Sequence, residues 1–250
     1  MLRAFGPLFG QVRPGAGVGD GPGEPWVIAL HGWGRRGSDF DRVLDGVGSV
    51  AFDLPGFGSS PPPEAAVGAP WYADRVIEAL EGARGPFVLV GHSFGGRVAV
   101  VAAARRPELV KGLVLTGAPL VRLRPPRKPR LGYRMIRWAA RMRLISEQRL
   151  ERERRRRGSA DYRAAQGVMR DVLVTVIGES YEAEMSAIRC PVRLVWGAND
   201  IEVPPEVARR AAAILSAGGC DVEIEILDGV GHLTPLEAPD RLRAAIEALR

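Results

Sequence analysis

Ser93 stands in Gly91-His92-Ser93-Phe94-Gly95, and the residues on either side give that spacing a meaning. A short apolar, β-branched run at 86–90 leads into it, and small and apolar residues at helical spacing over 94–105 lead away. The serine therefore falls in a tight strand-to-helix turn. Such a turn is strained, and Gly91 and Gly95 leave room where a Cβ would collide with neighbouring backbone. The strain lifts the Ser93 hydroxyl out of the turn, and the next backbone N–H, that of Phe94, opens a helix and can stabilise an oxyanion. The competing reading, a glycine-rich turn with an incidental serine, leaves the strand and helix around it unexplained.

A serine hydroxyl is a poor nucleophile without a base. The chain has three histidines, His31, His92 and His232. His92 adjoins Ser93 inside the turn, so its side chain is expected to project away from the hydroxyl. His31 ends an apolar run, where a histidine more often braces a loop through hydrogen bonds. His232 follows the last strand candidate and comes after Ser93 in the chain, which leaves it as the base. The acid that orients a base of this kind holds one imidazole tautomer and stabilises the imidazolium. Asp200, at the end of 192–200, has the right place between serine and histidine, though Glu202 or Asp228 could substitute, and Asp200 could also form a plain Asx turn. A second oxyanion donor is expected from a loop after an early strand. His31-Gly32-Trp33-Gly34 fits, with the Trp33 backbone N–H as donor and the Trp33 ring, like Phe94, as a pocket wall.

These residues need a scaffold that carries loops to one place. Strand candidates lie at 26–30, 49–53, 86–90, 112–115, 192–196 and 222–227, and helices at 71–81, 94–105, 205–216 and 239–250. The alternation is that of βαβ units around a mostly parallel, buried sheet flanked by helices, an α/β fold. Pro239 and Asp240 suit a first helical turn. The stretch 121–187 breaks the rhythm. It shows no clean strand, opens with prolines and arginines, and has helix-compatible sequence over 133–150. It is expected to be a helical cap, with 1–120 and 188–250 forming the core.

Charge is concentrated in that insert. Residues 122–157 hold fifteen Lys/Arg and three Glu, a balance of +12, while the rest of the chain holds 20 basic and 26 acidic residues. The run Arg152-Glu153-Arg154-Arg155-Arg156-Arg157 reads as a solvated helix face, and it lacks the interleaved aromatics of a single-strand binding platform. Nucleic acid is not an expected partner. Cys190 and Cys220 show neither metal-ligand spacing nor a disulfide framework. No apolar run approaches the ~20 residues needed to span a bilayer. The first fifteen residues have a short apolar stretch broken by Gly and Pro, unlike a secretory signal. A cytoplasmic location is expected.

His31-Gly32-Trp33-Gly34, DLPGFGSS at 53–60, GHSFGG at 91–96, WGAND at 196–200 and GHLTPLEAP at 231–239, in that order, resemble the α/β-hydrolase superfamily from about residue 25 onward. In style they are similar to small bacterial carboxylesterases with an HGWG oxyanion loop, including the pimeloyl-carrier methyl esterase group. The resemblance implies a cap inserted after the sixth strand, where 121–187 lies, and no metal or organic cofactor. In that esterase group basic cap residues meet an acidic carrier protein, but no motif in this insert matches the group's cap. The expected activity is hydrolysis of an ester or related small-molecule acyl compound through an acyl-Ser93 intermediate, with an anionic or carrier-linked substrate in view. A C–C hydrolase or lyase on the same triad, and a binding module with weak turnover, are the alternatives.

Overall fold

The computed structural model describes residues 1–15, 26–123 and 160–250, together with Trp138, Met142, Leu144, Ser146, Gln148, Arg149 and Arg152. Within these, one sheet is built from β1 (Leu2–Phe5), β2 (Leu8–Arg13), β3 (Val27–Leu30), β4 (Ser49–Asp53), β5 (Phe87–His92), β6 (Val110–Thr116), β7 (Val192–Gly197) and β8 (Val222–Leu227). The strands lie in the order β1-β2-β4-β3-β5-β6-β7-β8. The β1–β2 and β2–β4 pairs are antiparallel and the other pairs parallel. The helices are α1 (Ala69–Ala79), α2 (Phe94–Arg105), α3 (Ala160–Ala164), α4 (Gly167–Gly178), α5 (Glu182–Ala187), α6 (Pro205–Ala217), α7 (Thr234–Glu237) and α8 (Pro239–Glu247).

Side chains that alternate along a strand feed two separate cores. Ile28, Leu30, Leu89, Leu113, Leu115, Leu194 and Trp196 pack with α1, α2 and α6. Their neighbours Val27, Ala29, Val88, Val90, Val114 and Val195 pack on the other face with Phe40, Val43, Leu44 and, from α8, Leu242 and Ile246. Strands covered on both faces read as unbroken apolar runs, which is why the central ones stand out in the sequence.

Two features depart from the sequence reading. The first is the β1–β2 hairpin, where no strand is expected. The register puts Phe5 opposite Leu8, so the Gly6-Pro7 pair that breaks the apolar stretch is the turn itself, with Gly6 at φ +59°. The second is β8, expected to be buried. Among the described residues it is an edge of the sheet with no strand paired beyond it, and Glu223 and Ile224 are exposed.

Between β6 and β7 the chain leaves the sheet and carries α3, α4 and α5. The helix-compatible stretch 133–150 and the charge run 152–157 lie outside the described residues, save for isolated positions. Of this segment, α5 packs against α2 and α6, with Met185 and the following Ile188 fully buried. Among the described residues no helix is long and apolar enough to cross a membrane.

Candidate active site

Parallel strands point their carboxyl ends the same way, and in an open α/β sheet the loops there converge on a crevice. Here β3 leads to Gly32 and Trp33, β5 to Ser93, β7 to Asp200 and β8 to His232. Ser93 sits between β5 and α2 with φ 50° and ψ −112°, the one positive-φ position among the described residues that is not glycine. A β-bearing side chain is held in such a conformation only where the surroundings over-determine it. They do so here: a Cβ on Gly95 would lie 2.1 Å from the Leu30 carbonyl oxygen, and one on Gly91 2.5 Å from Gly96 Cα. The Ser93 N–H donates to the Thr116 carbonyl at 2.9 Å and the Gly95 N–H to that of His31 at 3.0 Å, so the turn is tied to strands on both sides.

His232 Nδ1 donates to Asp200 Oδ2 at 2.8 Å. The second Asp200 oxygen accepts the backbone N–H groups of Glu202 at 3.0 Å and Val203 at 2.8 Å, so the buried carboxylate is fixed before it meets the imidazole. Burial alone would lower the His232 pKa, but the hydrogen bond and charge of Asp200, with Glu202 and Asp161 farther out, hold it above the usual value. Glu202 lies on the other side of the ring, its Oε2 3.7 Å from Nε2 and its side chain largely exposed. Asp228 borders a separate hollow behind the Asp200 loop. Of the three carboxylates considered from sequence, Asp200 is thus the one on Nδ1.

The other two histidines brace. His31 donates from Nδ1 to the Gly32 carbonyl at 2.7 Å and accepts the Leu54 N–H on Nε2 at 2.9 Å. Burial pushes its pKa down to about 4, which keeps it neutral. The destination of the His92 side chain was not legible in sequence. Its Nε2 donates to the His232 carbonyl at 2.9 Å, fixing the backbone of that loop. Burial, helped by His232, pushes the His92 pKa down to about 3. Gly117 was also missed as part of the site. At φ +54° it lies against the pair, where a Cβ would come 3.0 Å from His232 Nδ1 and 3.4 Å from Asp200 Oδ2.

Ser93 and His232 border one cavity of about 170 Å³. Trp33 and Phe94 form its inner wall, Leu173, Val176 and Ile177 of α4 its outer wall, and Pro119 and Val203 its flanks. Arg97, Asp161 and Glu202 bring the charge. Phe57, from the loop after β4, stacks edge-on against Trp33 at 5.0 Å and Phe94 lies 5.5 Å from Trp33, so the inner wall is a rigid aromatic cluster. Among the described residues the backbone N–H groups of Trp33 and Phe94 donate to no protein acceptor. The wall residues of α4 could not be found from sequence, because an apolar helix face does not announce what it faces.

Several known proteins resemble this chain in sequence or fold. A serine hydrolase-like protein of Danio rerio is 40% identical over 124 residues, 46% of this chain and 36% of its own length. Lipase LipV of Mycobacterium tuberculosis (strain ATCC 25618 / H37Rv) is 40% identical over 104 residues, 38% of each chain. The chain thus spans less than two fifths of the length of these two relatives. A thermophilic esterase from Thermogutta terrifontis superposes with a TM-score of 0.66 at 21% identity, over 96% of this chain and 92% of that one, which shows a common fold. The sequence profile of the alpha/beta hydrolase family matches residues 27–245. That match covers the sheet from β3 to β8 and every residue of the cavity just described, and the chain belongs to the alpha/beta hydrolase family.

Proposed function

We propose that this hydrolase cleaves a carboxylic ester or related acyl compound with Ser93 as nucleophile, His232 as base and Asp200 as its orienting acid. The observation that carries the reading is a strained Ser93 opening onto the same small cavity as an imidazole whose Nδ1 is already committed to a buried carboxylate. Ser93 Oγ attacks the substrate carbonyl carbon while its proton passes to His232 Nε2. The N–H groups of Trp33 and Phe94 hold the resulting oxyanion, each such donor contributing about 3–4 kcal/mol. Collapse breaks the bond to the leaving oxygen, which takes the proton from His232 and departs as the alcohol. Water then gives its proton to His232, attacks the acyl carbon and releases the acid, restoring the Ser93 hydroxyl.

A cavity of about 170 Å³ is close to the ~150 Å³ that holds a benzene molecule. It suits a short acyl group. The +12 balance of residues 122–157 supports an anionic substrate, free or carried on an acidic partner. The test is covalent labelling with a serine-directed fluorophosphonate alongside a panel of esters graded by acyl length. Wild type is expected to label and to turn over the short esters, and Ser93→Ala to do neither while keeping its melting temperature. Equal labelling of the two proteins overturns the assignment.

A further inference from the structure

The outer wall of the cavity is a helix from the inserted segment, and its end is fastened to the core by a chain of polar contacts that runs through Glu179. This residue follows α4 directly, and its Oε2 accepts the backbone N–H of Ala69 at 3.0 Å, across 110 residues of sequence. Ala69 is the first residue of α1, whose N-cap, Gly68, offers no side chain to the helix's unpaired N–H groups. A carboxylate is the group best suited to that place, since it accepts the orphan donor and meets the positive end of the helix dipole. Gly68 makes room for it: a Cβ there would fall 1.6 Å from Glu179 Oε1.

The same carboxylate oxygen accepts the hydroxyl of Tyr181 at 2.6 Å, and Tyr181 is buried. Over the Tyr181 ring, 5.7 Å from its centre, stands the guanidinium of Arg97. Arg97 lies on α2, the helix that Ser93 precedes, and its Nη1 donates to the Val176 carbonyl at 2.8 Å. A second arginine, Arg122, donates to the Ile177 carbonyl at 2.6 Å. Two cations thus donate to carbonyls in the last turn of α4, where the helix's own N–H groups run out, and the Val176 carbonyl also accepts the Glu179 N–H at 3.2 Å. Val176 and Ile177 are themselves cavity walls, so the fastening acts on the residues that bound the acyl group.

We propose that Glu179 is a positioning residue that clamps the end of α4 to α1 and to the helix of the nucleophile, and so sets the longest acyl chain the cavity admits. The consequence for chain length rests on the serine-hydrolase reading above; the clamp itself does not. With the carboxylate gone, α1 loses its cap, Tyr181 loses its acceptor, and the Arg97 guanidinium loses the negative charge behind the ring it stands over. Neither Glu179 nor Gly68 borders the cavity, so the chemistry at Ser93 is untouched.

Two variants break the clamp from opposite sides. Glu179→Ala removes the carboxylate, and Gly68→Ala leaves it present but fills its seat; Gly68 has φ −102°, which alanine adopts without strain. The first measurement, hydrogen exchange of the α4 amides, needs no turnover. A charge-assisted hydrogen bond is strong enough that its loss should speed exchange at Gly167–Gly178 about tenfold or more in both variants, with the β5–α2 turn unchanged and Glu179→Gln in between. The second is the ratio of kcat/KM for octanoyl against butanoyl esters. It should rise about tenfold in both variants through a lower KM for the longer ester, with kcat on the butanoyl ester within about twofold of wild type. Unchanged α4 exchange in Gly68→Ala and Glu179→Ala overturns the clamp. Faster exchange with all chain lengths reduced in proportion overturns its role in specificity. If no ester is turned over by wild type, the hydrolase reading fails, and the exchange data still decide the clamp.

Discussion

His232 is where local electrostatics sets the chemistry. On the proposed mechanism its imidazole must be neutral to accept the Ser93 proton, and the carboxylates around it raise the pH at which that happens. The acid limb of kcat/KM should therefore have its midpoint above 6.5, with activity lost as pH falls through it. Asp200→Asn removes both the charge and the correct tautomer. It should move the midpoint down and reduce kcat on the order of 10⁴-fold, against roughly 10⁶ for His232→Ala, because triad members act as a unit and the orienting acid is the least costly to lose. Glu202→Gln, which leaves the Asp200 hydrogen bond intact, should lower the midpoint with little change in the plateau. A pH–rate profile for each variant checks all three, and an acid limb at or below 6.5 in wild type contradicts the electrostatic account.

At the scale of elements, the turn between β5 and α2 is held by backbone on all sides. A Cβ at residue 95 meets the Leu30 carbonyl of β3, an obstacle that cannot rotate away. Gly95→Ala should cost about 1–3 kcal/mol of stability, toward the upper end because the neighbour is main chain, and should abolish fluorophosphonate labelling by moving the Ser93 hydroxyl. Denaturant melts with labelling at each point separate the two effects. Loss of labelling in a fully folded population is the expected sign that the turn's shape, and not global stability, is what the glycine protects.

At the scale of the whole molecule, two buried histidines make the fold acid-sensitive. His31 and His92 are held neutral well below 6.5, so as pH falls below that value the unfolded chain takes up protons that the folded one refuses. Stability should drop by up to about 1.4 kcal/mol per pH unit for each, from about pH 6.5 toward pH 4 for His31 and toward pH 3 for His92. His232 works the other way: its raised pKa adds stability that is present below 6.5 and fades as pH rises through its folded value. Melting temperatures between pH 7 and 5 should fall, and His31→Asn should flatten the slope. Charge makes a second molecule-wide prediction. If the +12 insert draws in anionic substrates, kcat/KM for an anionic ester should decline with added salt while that of a neutral ester of equal length holds steady. Changing Arg154, Arg155, Arg156 and Arg157 to Gln should reproduce the high-salt behaviour, and a salt-independent ratio removes the insert from substrate recognition.

What the sequence determined by itself was whatever depends on neighbours along the chain. The buried strands show as apolar runs because both faces are covered, and the Ser93 turn shows because strand, glycines and helix are consecutive. Chain order and elimination brought Asp200 and His232 into view. Only the tertiary structure decided which carboxylate meets Nδ1, since Asp200, Glu202 and Asp228 all follow strands and differ only in where their loops point. The same holds for β1, β2 and the exposed edge at β8, whose roles depend on what pairs beside them. It holds most of all for the far wall of the cavity. Glu179 and Ala69 are 110 residues apart, and no local pattern in either segment carries information about the other. Their meeting is fixed by how the end of α4 packs against the start of α1, a property of the packed chain.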